Sequence, residues 1–130
     1  MITNRYTLSK EERLSRKRDI DILFAEGKSF IAYPFRIIFL ETEPNKESVP
    51  VSILLSVSKK RFKRAVKRNL VKRQLRESYR MQKHEICKYM QEKGKVLMIA
   101  FIYMDKDIHP KKDIDKAMAK ALRVLKEKCE

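Results

Sequence analysis

The spacing of apolar residues predicts a helix near the start of the chain. Ile20, Leu23 and Phe24 recur at helical spacing, so we predict a first helix over about residues 16–26. Gly27 follows directly, and we expect it to end the helix in the left-handed conformation that glycine adopts readily.

Three apolar runs have the length and pattern of strands. FRIIFLE predicts a strand at about residues 35–41, and Glu-Pro-Asn-Lys at 43–46 is typical of a turn. In VPVSILLSV, at about 49–57, apolar side chains share one face and serines lie on the other, which is compatible with a ligand-facing side. KVLMIAFIY, at about 95–103, is apolar throughout and predicts a strand inside a sheet.

Two more helices are predicted towards the end of the chain. From about Arg64 to Lys93 there is no Gly or Pro, which predicts one long helix that ends at Gly94. Pro110 is typical of the start of a last helix. The apolar stripe of that helix comprises Ile114, Ala117, Ala121, Leu122 and Leu125.

These elements give the order αββαβα, which is an α+β fold with helices packed on a small sheet. The length predicts one domain over residues 1–130. Residues 1–12 precede the first predicted helix and are expected to be flexible, although Ser9 and Glu12 have the spacing of a capping box.

One of the predicted helices carries a large excess of positive charge. The chain carries a net charge of +15, and the segment from Lys59 to Lys83 holds twelve Lys or Arg but one acid, Glu77. On a helical projection the polar side chains border the core-facing side; they are Arg68, Asn69, Lys72, Arg73, Arg76, Arg80 and Lys83. Like charges four residues apart repel each other, so we infer a polyanionic partner that neutralises them.

The composition favours nucleic acid as this partner. A membrane-bound helix needs a broad exposed apolar face, whereas the apolar face here is needed to cover the sheet. Arginine suits bidentate phosphate contacts and base stacking. RNA is favoured over DNA because the helix is embedded in a domain and is not presented as a free recognition helix.

Other chemistry has weaker support. Cys87 and Cys129 are too few for a disulfide framework, and no signal peptide or apolar run of about 18 residues occurs, so we predict a cytoplasmic protein. His84 and Cys87 have metal-ligand spacing without a third ligand. Asp105 and Asp107 could bind Mg²⁺, but turn and capping roles are more typical. We predict no catalytic residue and no metal site.

The basic segment resembles a known signature. In SVSKKRFKRAVKRNLVKRQLRES, residues 56–78, a strand ending in Ser-Val-Ser-Lys-Lys leads into a helix rich in Arg, as in the protein subunit of bacterial ribonuclease P. The resemblance extends upstream to Phe24 and to Gly27-Lys28-Ser29. Leu70 departs from the usual Arg of the signature, and Ile20 stands where an aromatic residue is common.

The resemblance implies the order αβββαβα with a small mixed sheet. It also implies a left-handed βαβ crossover, which would break a rule obeyed in about 98% of cases. Its implied function is to assist a catalytic RNA, which uses Mg²⁺, in removing the 5′ leader from precursor tRNA. The protein would bind the RNA subunit and hold the leader in a cleft on the sheet.

The resemblance also implies which residues form the site, by their positions in the matching segments. The predicted RNA-binding residues are Lys59, Lys60, Arg64, Arg68, Asn69, Lys72, Arg73, Arg76 and Arg80. The predicted leader cleft comprises Phe24, Lys28, Phe35, Ile37 and Phe39. The alternatives are a ribosomal or other structural RNA-binding protein, and a protein-only nuclease that would require Asp105 and Asp107.

Overall fold

The computed structural model describes residues 12–44 and 49–130, so Ser9 and part of the predicted 43–46 turn lie outside the described residues. Four helices and four strands are formed within these ranges. They are α1 (Lys17–Glu26), β1 (Lys28–Ala32), β2 (Phe35–Thr42), β3 (Val51–Val57), α2 (Ala65–Gln82), α3 (His84–Lys93), β4 (Val96–Tyr103) and α4 (Lys111–Lys128).

The strands form one mixed sheet in the order β1-β2-β4-β3. The β1–β2 and β2–β4 pairs are antiparallel, whereas β3 and β4 are parallel. The apolar β4 has a neighbour on each side, which confirms its prediction as an interior strand. Because β3 and β4 are parallel, α2 and α3 form the crossover between them, and its left hand stays a prediction.

One face of the sheet forms the main core with α2, α3 and α4. Phe101 of β4 lies at its centre, with its ring centroid 6.0 Å from that of Tyr79 on α2 and 6.2 Å from that of Phe35 on β2. All three rings are fully buried. The predicted stripe of α4 is buried here as well, which confirms that prediction. Burial of these large apolar groups supplies most of the driving force for this packing.

The opposite face is covered in part by α1. Leu23 of α1 is fully buried against a smaller cluster that includes Ile38, Met98 and Ala100 of the sheet. Leu14 joins this cluster, and its N–H donates to the carbonyl oxygen of Ile53 at 2.7 Å along the outer edge of β3. The segment before α1 therefore fastens the helix to the sheet.

Gly27 ends α1 as predicted, but its conformation differs from the prediction. Its φ of −70° and ψ of 156° are extended values that any residue can adopt. The requirement is for space, because a Cβ atom would lie 2.4 Å from the carbonyl oxygen of Leu23 and 2.8 Å from Cγ2 of Ile38. Gly94, by contrast, ends α3 in the left-handed conformation at φ 74°, as glycine does at many helix ends.

The long helix predicted from Arg64 to Lys93 is divided at Lys83 into α2 and α3. Lys83 is only 4% exposed, and its ammonium group lies 2.6 Å from Oε2 of Glu12. No local Gly or Pro signals this break. The tertiary ion pair at the junction is a contact that helix propensity cannot foresee.

Two strand predictions need correction. The apolar pattern did not predict the strand β1, because KSFIA is short and lacks regular alternation. Only the family resemblance implied this extra strand. The serine-bearing face of β3 was interpreted as compatible with a ligand-facing side, but Ser52 is buried and Leu54 packs against the cluster beneath α1. Leu54 and Ser56 are half-buried, so this face is less open than a polar strand face would be.

Candidate RNA interface

The inner face of α2 fixes the helix in the fold. Val71, Leu75 and Tyr79 are fully buried in the main core. Ser78 donates a hydrogen bond of 2.7 Å to Oδ1 of Asp115 on α4. Burial alone would raise the pKa of Asp115, but hydrogen bonds from Lys111 and Ser78 outweigh it and hold that pKa below its ordinary value. The outer face of α2 is thus held in a defined direction.

Most of the predicted RNA-binding residues share one exposed surface on α2 and the loop before it. Six of them are exposed and Lys72 is half-buried; the exposed ones are Lys59, Lys60, Arg64, Asn69, Arg73 and Arg76. Among the residues that the structure describes, none of these cations forms an ion pair with an acid. We call this set of seven residues the basic surface, and its charge is available to an external anion.

Arg68 differs from its neighbours because its guanidinium group is engaged within the protein. Its Nη1 donates to the carbonyl oxygen of Phe62 at 2.7 Å and to that of Lys63 at 3.0 Å. Phe62 is buried, with its ring centroid 6.0 Å from that of Tyr103. Arg68 therefore ties α2 to the loop that carries Lys59 and Lys60.

The end of α2 contributes less free charge than the sequence suggested. Arg80 forms an ion pair with Glu77, and its hydrogen bond holds the pKa of the Glu77 carboxyl below the ordinary value. Lys83, which the helical projection grouped with the other polar side chains of this helix, is buried with Glu12 and cannot face an external RNA. The basic surface is consequently concentrated towards the N-terminal half of α2.

The structure corrects the predicted floor of the leader cleft. Phe35, Ile37 and Phe39 are all buried in the main core beneath the helices. A polynucleotide on the surface cannot reach them, so we remove them from the predicted cleft. The residues between them along β2 point to the opposite face, because side chains alternate along a strand.

That opposite face carries one row of accessible side chains. Ile31 pairs with Arg36, Arg36 with Ile102, and Ile102 with Ser56, so these four residues cross the sheet side by side. Ile31 and Arg36 are exposed, whereas Ile102 and Ser56 are half-buried. We call these four residues the open row. The alternation of Phe35, Arg36 and Ile37 was the sequence signal for this face.

The α1 residues singled out from the sequence lie on the same side of the sheet. Phe24 is 46% exposed, unlike the other phenylalanines of the described chain, which are half-buried or buried. Ile20 is half-buried against the cluster beneath α1, so it serves packing at a position where an aromatic residue is common in the resembled family. Lys28 is exposed at the start of β1, but it pairs with Phe39 and therefore shares the helix-covered face of the sheet, so we also remove it from the predicted cleft.

The remaining polar candidates have structural partners. The Asp105 carboxylate accepts hydrogen bonds from the backbone N–H of Lys106 and of Asp107 and from the hydroxyl of Tyr33, as a turn-capping residue does. Cys87 lies 3.9 Å from the Tyr79 hydroxyl, and burial raises the pKa of its thiol to about 11. Within residues 12–44 and 49–130, no three His, Cys, Asp or Glu side chains could together hold a metal ion.

A mixed sheet layered with helices, a cationic surface on one helix and an accessible sheet face define an α+β nucleic-acid-binding protein. None of the helices in the described ranges is long and apolar enough to cross a membrane. The Ribonuclease P family model matches residues 8–126, and the chain belongs to this family of ribonuclease P protein components. It is accordingly a protein subunit of an endoribonuclease that acts in tRNA processing, which confirms the function predicted from the sequence.

Individual relatives agree with this assignment. The ribonuclease P protein component of Porphyromonas gingivalis (strain ATCC 33277) is 40% identical over 117 residues, which cover 90% of this chain and 85% of the relative. The component of Chlorobium phaeobacteroides is 33% identical over 105 residues, covering 75% and 72%.

Solved structures share the fold. A Staphylococcus aureus RNase P protein mutant with defective mRNA degradation activity has a TM-score of 0.66 at 24% identity, with 90% of each chain covered. The RNase P protein from Thermotoga maritima has a TM-score of 0.64 at 24% identity, covering 87% of this chain and 96% of that chain. The α+β fold predicted from the sequence is therefore confirmed.

Proposed function

We propose that the chain binds the catalytic RNA through the basic surface and holds the 5′ leader of precursor tRNA along the open row. The observation that carries this proposal is continuity along the chain. Ser56 ends the open row, and three residues later Lys59 begins the loop that precedes α2, which we call the basic loop (residues 59–64). A strand lying on the sheet would therefore pass directly onto the cations that precede α2.

The two surfaces suit different parts of an RNA. The cations of the basic surface would neutralise phosphates and release counterions, which makes binding strongly dependent on salt. Phe24 would stack on an unpaired base, and Arg36 would contact the backbone of the same strand. Arg68 would have two roles. It holds the loop that carries Lys59 and Lys60, and it retains further N–H groups that could bind a phosphate.

On this proposal the protein supplies affinity and the RNA supplies the chemistry, with Mg²⁺ bound mainly through the RNA. No residue of the protein is assigned a catalytic role. A cytoplasmic location, predicted from the sequence, belongs to the same proposal.

Reconstitution tests this proposal. The chain is added to a ribonuclease P RNA at low Mg²⁺, and leader removal from precursor tRNA is measured for the wild type and for Arg76→Ala. We expect the wild type to stimulate cleavage and Arg76→Ala to weaken RNA binding by about 1–3 kcal/mol with a shallower salt slope. Arg123→Ala, an exposed arginine on α4, is the matched control and should change little.

Three outcomes would contradict the proposal. Absence of stimulation would favour a structural RNA-binding protein without a processing role. An equal loss from Arg123→Ala would show that binding is not localised on the basic surface. Cleavage by the protein free of RNA and of contaminating nucleases, abolished by Asp105→Asn with Asp107→Asn, would indicate a protein-only nuclease.

A further inference from the structure

An exposed tyrosine lies at one end of the sheet, beyond the open row. Tyr33 occupies the turn between β1 and β2 and is 60% exposed, close to the 62% of Ile31 two residues earlier. Since Phe35 pairs with Tyr103, this turn lies beside the segment that leaves β4. The backbone N–H of Met104 donates to the carbonyl oxygen of Pro34 at 2.8 Å and joins the two segments.

The orientation of Tyr33 is fixed by contacts with that segment. Its hydroxyl donates to Oδ2 of Asp105 at 2.5 Å, and Nε2 of His109 lies 2.7 Å from the same oxygen. The ring centroids of Tyr33 and His109 are 5.6 Å apart at an interplanar angle of 84°, an edge contact. These contacts occupy the hydroxyl and one side of the ring and leave most of the residue accessible. A ring already held in place loses little conformational entropy when a ligand stacks on it.

The surroundings of this ring suit a polynucleotide. Arg61, in the basic loop, is close enough for its positive charge to lower the pKa of Tyr33, although the hydrogen bond to Asp105 outweighs this effect and the pKa is raised overall. The Asp105 carboxylate would repel a phosphate if it were free, but Tyr33, His109 and two backbone N–H groups contact its oxygens. An accessible aromatic ring with a cation nearby is an arrangement that binds single-stranded RNA without sequence preference.

We propose that Tyr33 is a stacking platform for one unpaired nucleobase of the leader, and that Asp105 and His109 are positioning residues that hold the ring. The site extends the leader path past the open row towards the turn between β1 and β2. This inference rests on the proposed function, because it assumes that a single strand follows the sheet.

The test compares two substitutions of Tyr33 in the reconstituted holoenzyme. Tyr33→Phe keeps the ring and removes the hydroxyl, whereas Tyr33→Leu keeps an apolar side chain and removes the ring. Affinity is measured for precursor tRNAs with a full leader, with a leader shortened to one nucleotide, and with single abasic leader positions. We expect Tyr33→Leu to weaken binding of the full-leader precursor by about 5- to 150-fold, the range for loss of one base stack. Tyr33→Phe should lose less than about fivefold.

The abasic series locates the base and separates stacking from a structural role. In the wild type, an abasic nucleotide at one leader position should weaken binding about as much as Tyr33→Leu does. The same abasic nucleotide should weaken binding no further in Tyr33→Leu. Equal losses from Tyr33→Phe and Tyr33→Leu would show that the hydroxyl contact serves the fold alone and would overturn the inference. Tyr89→Leu is the matched control, since the Tyr89 hydroxyl also bonds within the protein, to the Cys129 carbonyl oxygen, on the opposite side of the sheet.

Failure of the inference and failure of the proposed function give different results. If the wild type prefers the full leader and Tyr33→Leu binds it equally well, the inference is wrong and the proposed function stands. If the wild type binds precursors with full and shortened leaders equally well, the proposed leader site is wrong, and the inference about Tyr33 is wrong as well. Should Tyr33→Leu not fold, a photoreactive nucleotide placed at each leader position is crosslinked to the wild type. Adducts on Tyr33 or Pro34 support the platform, and adducts confined to the open row or to other segments overturn it.

Discussion

Replacing Arg68 by lysine keeps a positive charge on α2 but removes the planar fork that joins the helix to the preceding loop. In the wild type, one nitrogen of this fork donates to the carbonyl oxygens of Phe62 and Lys63. The first bond is partly buried and the second is exposed to solvent. A lysine ammonium group ends one bond short of Nη1 and sits on a flexible stem, so it is less suited to reach both carbonyl groups.

The magnitude follows from the setting of these two bonds. A hydrogen bond from a charged donor contributes about 1.5–3 kcal/mol, and solvent competes with the exposed bond. Part of the contribution is retained, because lysine still reaches one carbonyl. We therefore expect Arg68→Lys to lower the free energy of unfolding by about 1–2 kcal/mol. Arg76→Lys is the matched control, since Arg76 is exposed and forms no ion pair within the described chain, and it should change this value by less than about 0.5 kcal/mol.

The assay combines two measurements on each variant. Urea denaturation of the isolated protein gives the free energy of unfolding, and binding to the RNA subunit across a range of salt gives the salt slope. Both lysine variants should keep the slope of the wild type, whereas Arg68→Ala and Arg76→Ala should each lose about 0.7–0.9 of a unit. Equal unfolding free energies for Arg68→Lys and Arg76→Lys would refute the role of Arg68 in holding the loop.

Three further predictions concern the fold. The Tyr33 hydroxyl, and then His109, hold the pKa of Asp105 below its ordinary value, so its stabilisation is present above about pH 4 and is lost as the pH falls towards the folded value. Wild type should therefore unfold at higher urea than Asp105→Asn at pH 7, by a margin that shrinks at pH 3; a constant margin would contradict this. Phe101→Ala should cost about 3–5 kcal/mol in urea denaturation, and a loss below 1 kcal/mol would contradict the central position of the ring. The Cys87 thiol, with a pKa of about 11, should alkylate much more slowly than free cysteine at pH 8, and an equal rate would disprove its burial.

Periodicity was sufficient for the elements with a regular apolar face. The bounds of α1, β2, β4 and α4 follow the pattern closely because burial in the core determines each of them. Periodicity did not predict the strand β1, because an edge strand with exposed Lys28 and Ser29 has little apolar pattern. At the break between α2 and α3, Lys83 pairs with Glu12, which lies far away in the chain and cannot be paired with it from local propensity.

The candidate site was predictable in its charge and less so in its geometry. The local excess of cations indicated the basic surface, but side-chain spacing could not show that Arg68 bonds to the backbone or that Arg80 pairs with Glu77. The choice of sheet face required strand register, which places Arg36 beside Ile102 and away from the helices. Before register is known, an alternating strand offers two equally acceptable faces to a ligand.

The segment before α1 has a consequence for how molecules of this protein meet each other. The outer edge of β3 would otherwise offer unpaired backbone groups on which a second chain could extend the sheet. Arg13 forms a bridge with Ile53 there, and the N–H of Leu14 takes the Ile53 carbonyl oxygen. A neighbouring molecule would have to displace this segment before it could add a strand at that point, which protects the chain against aggregation through this edge.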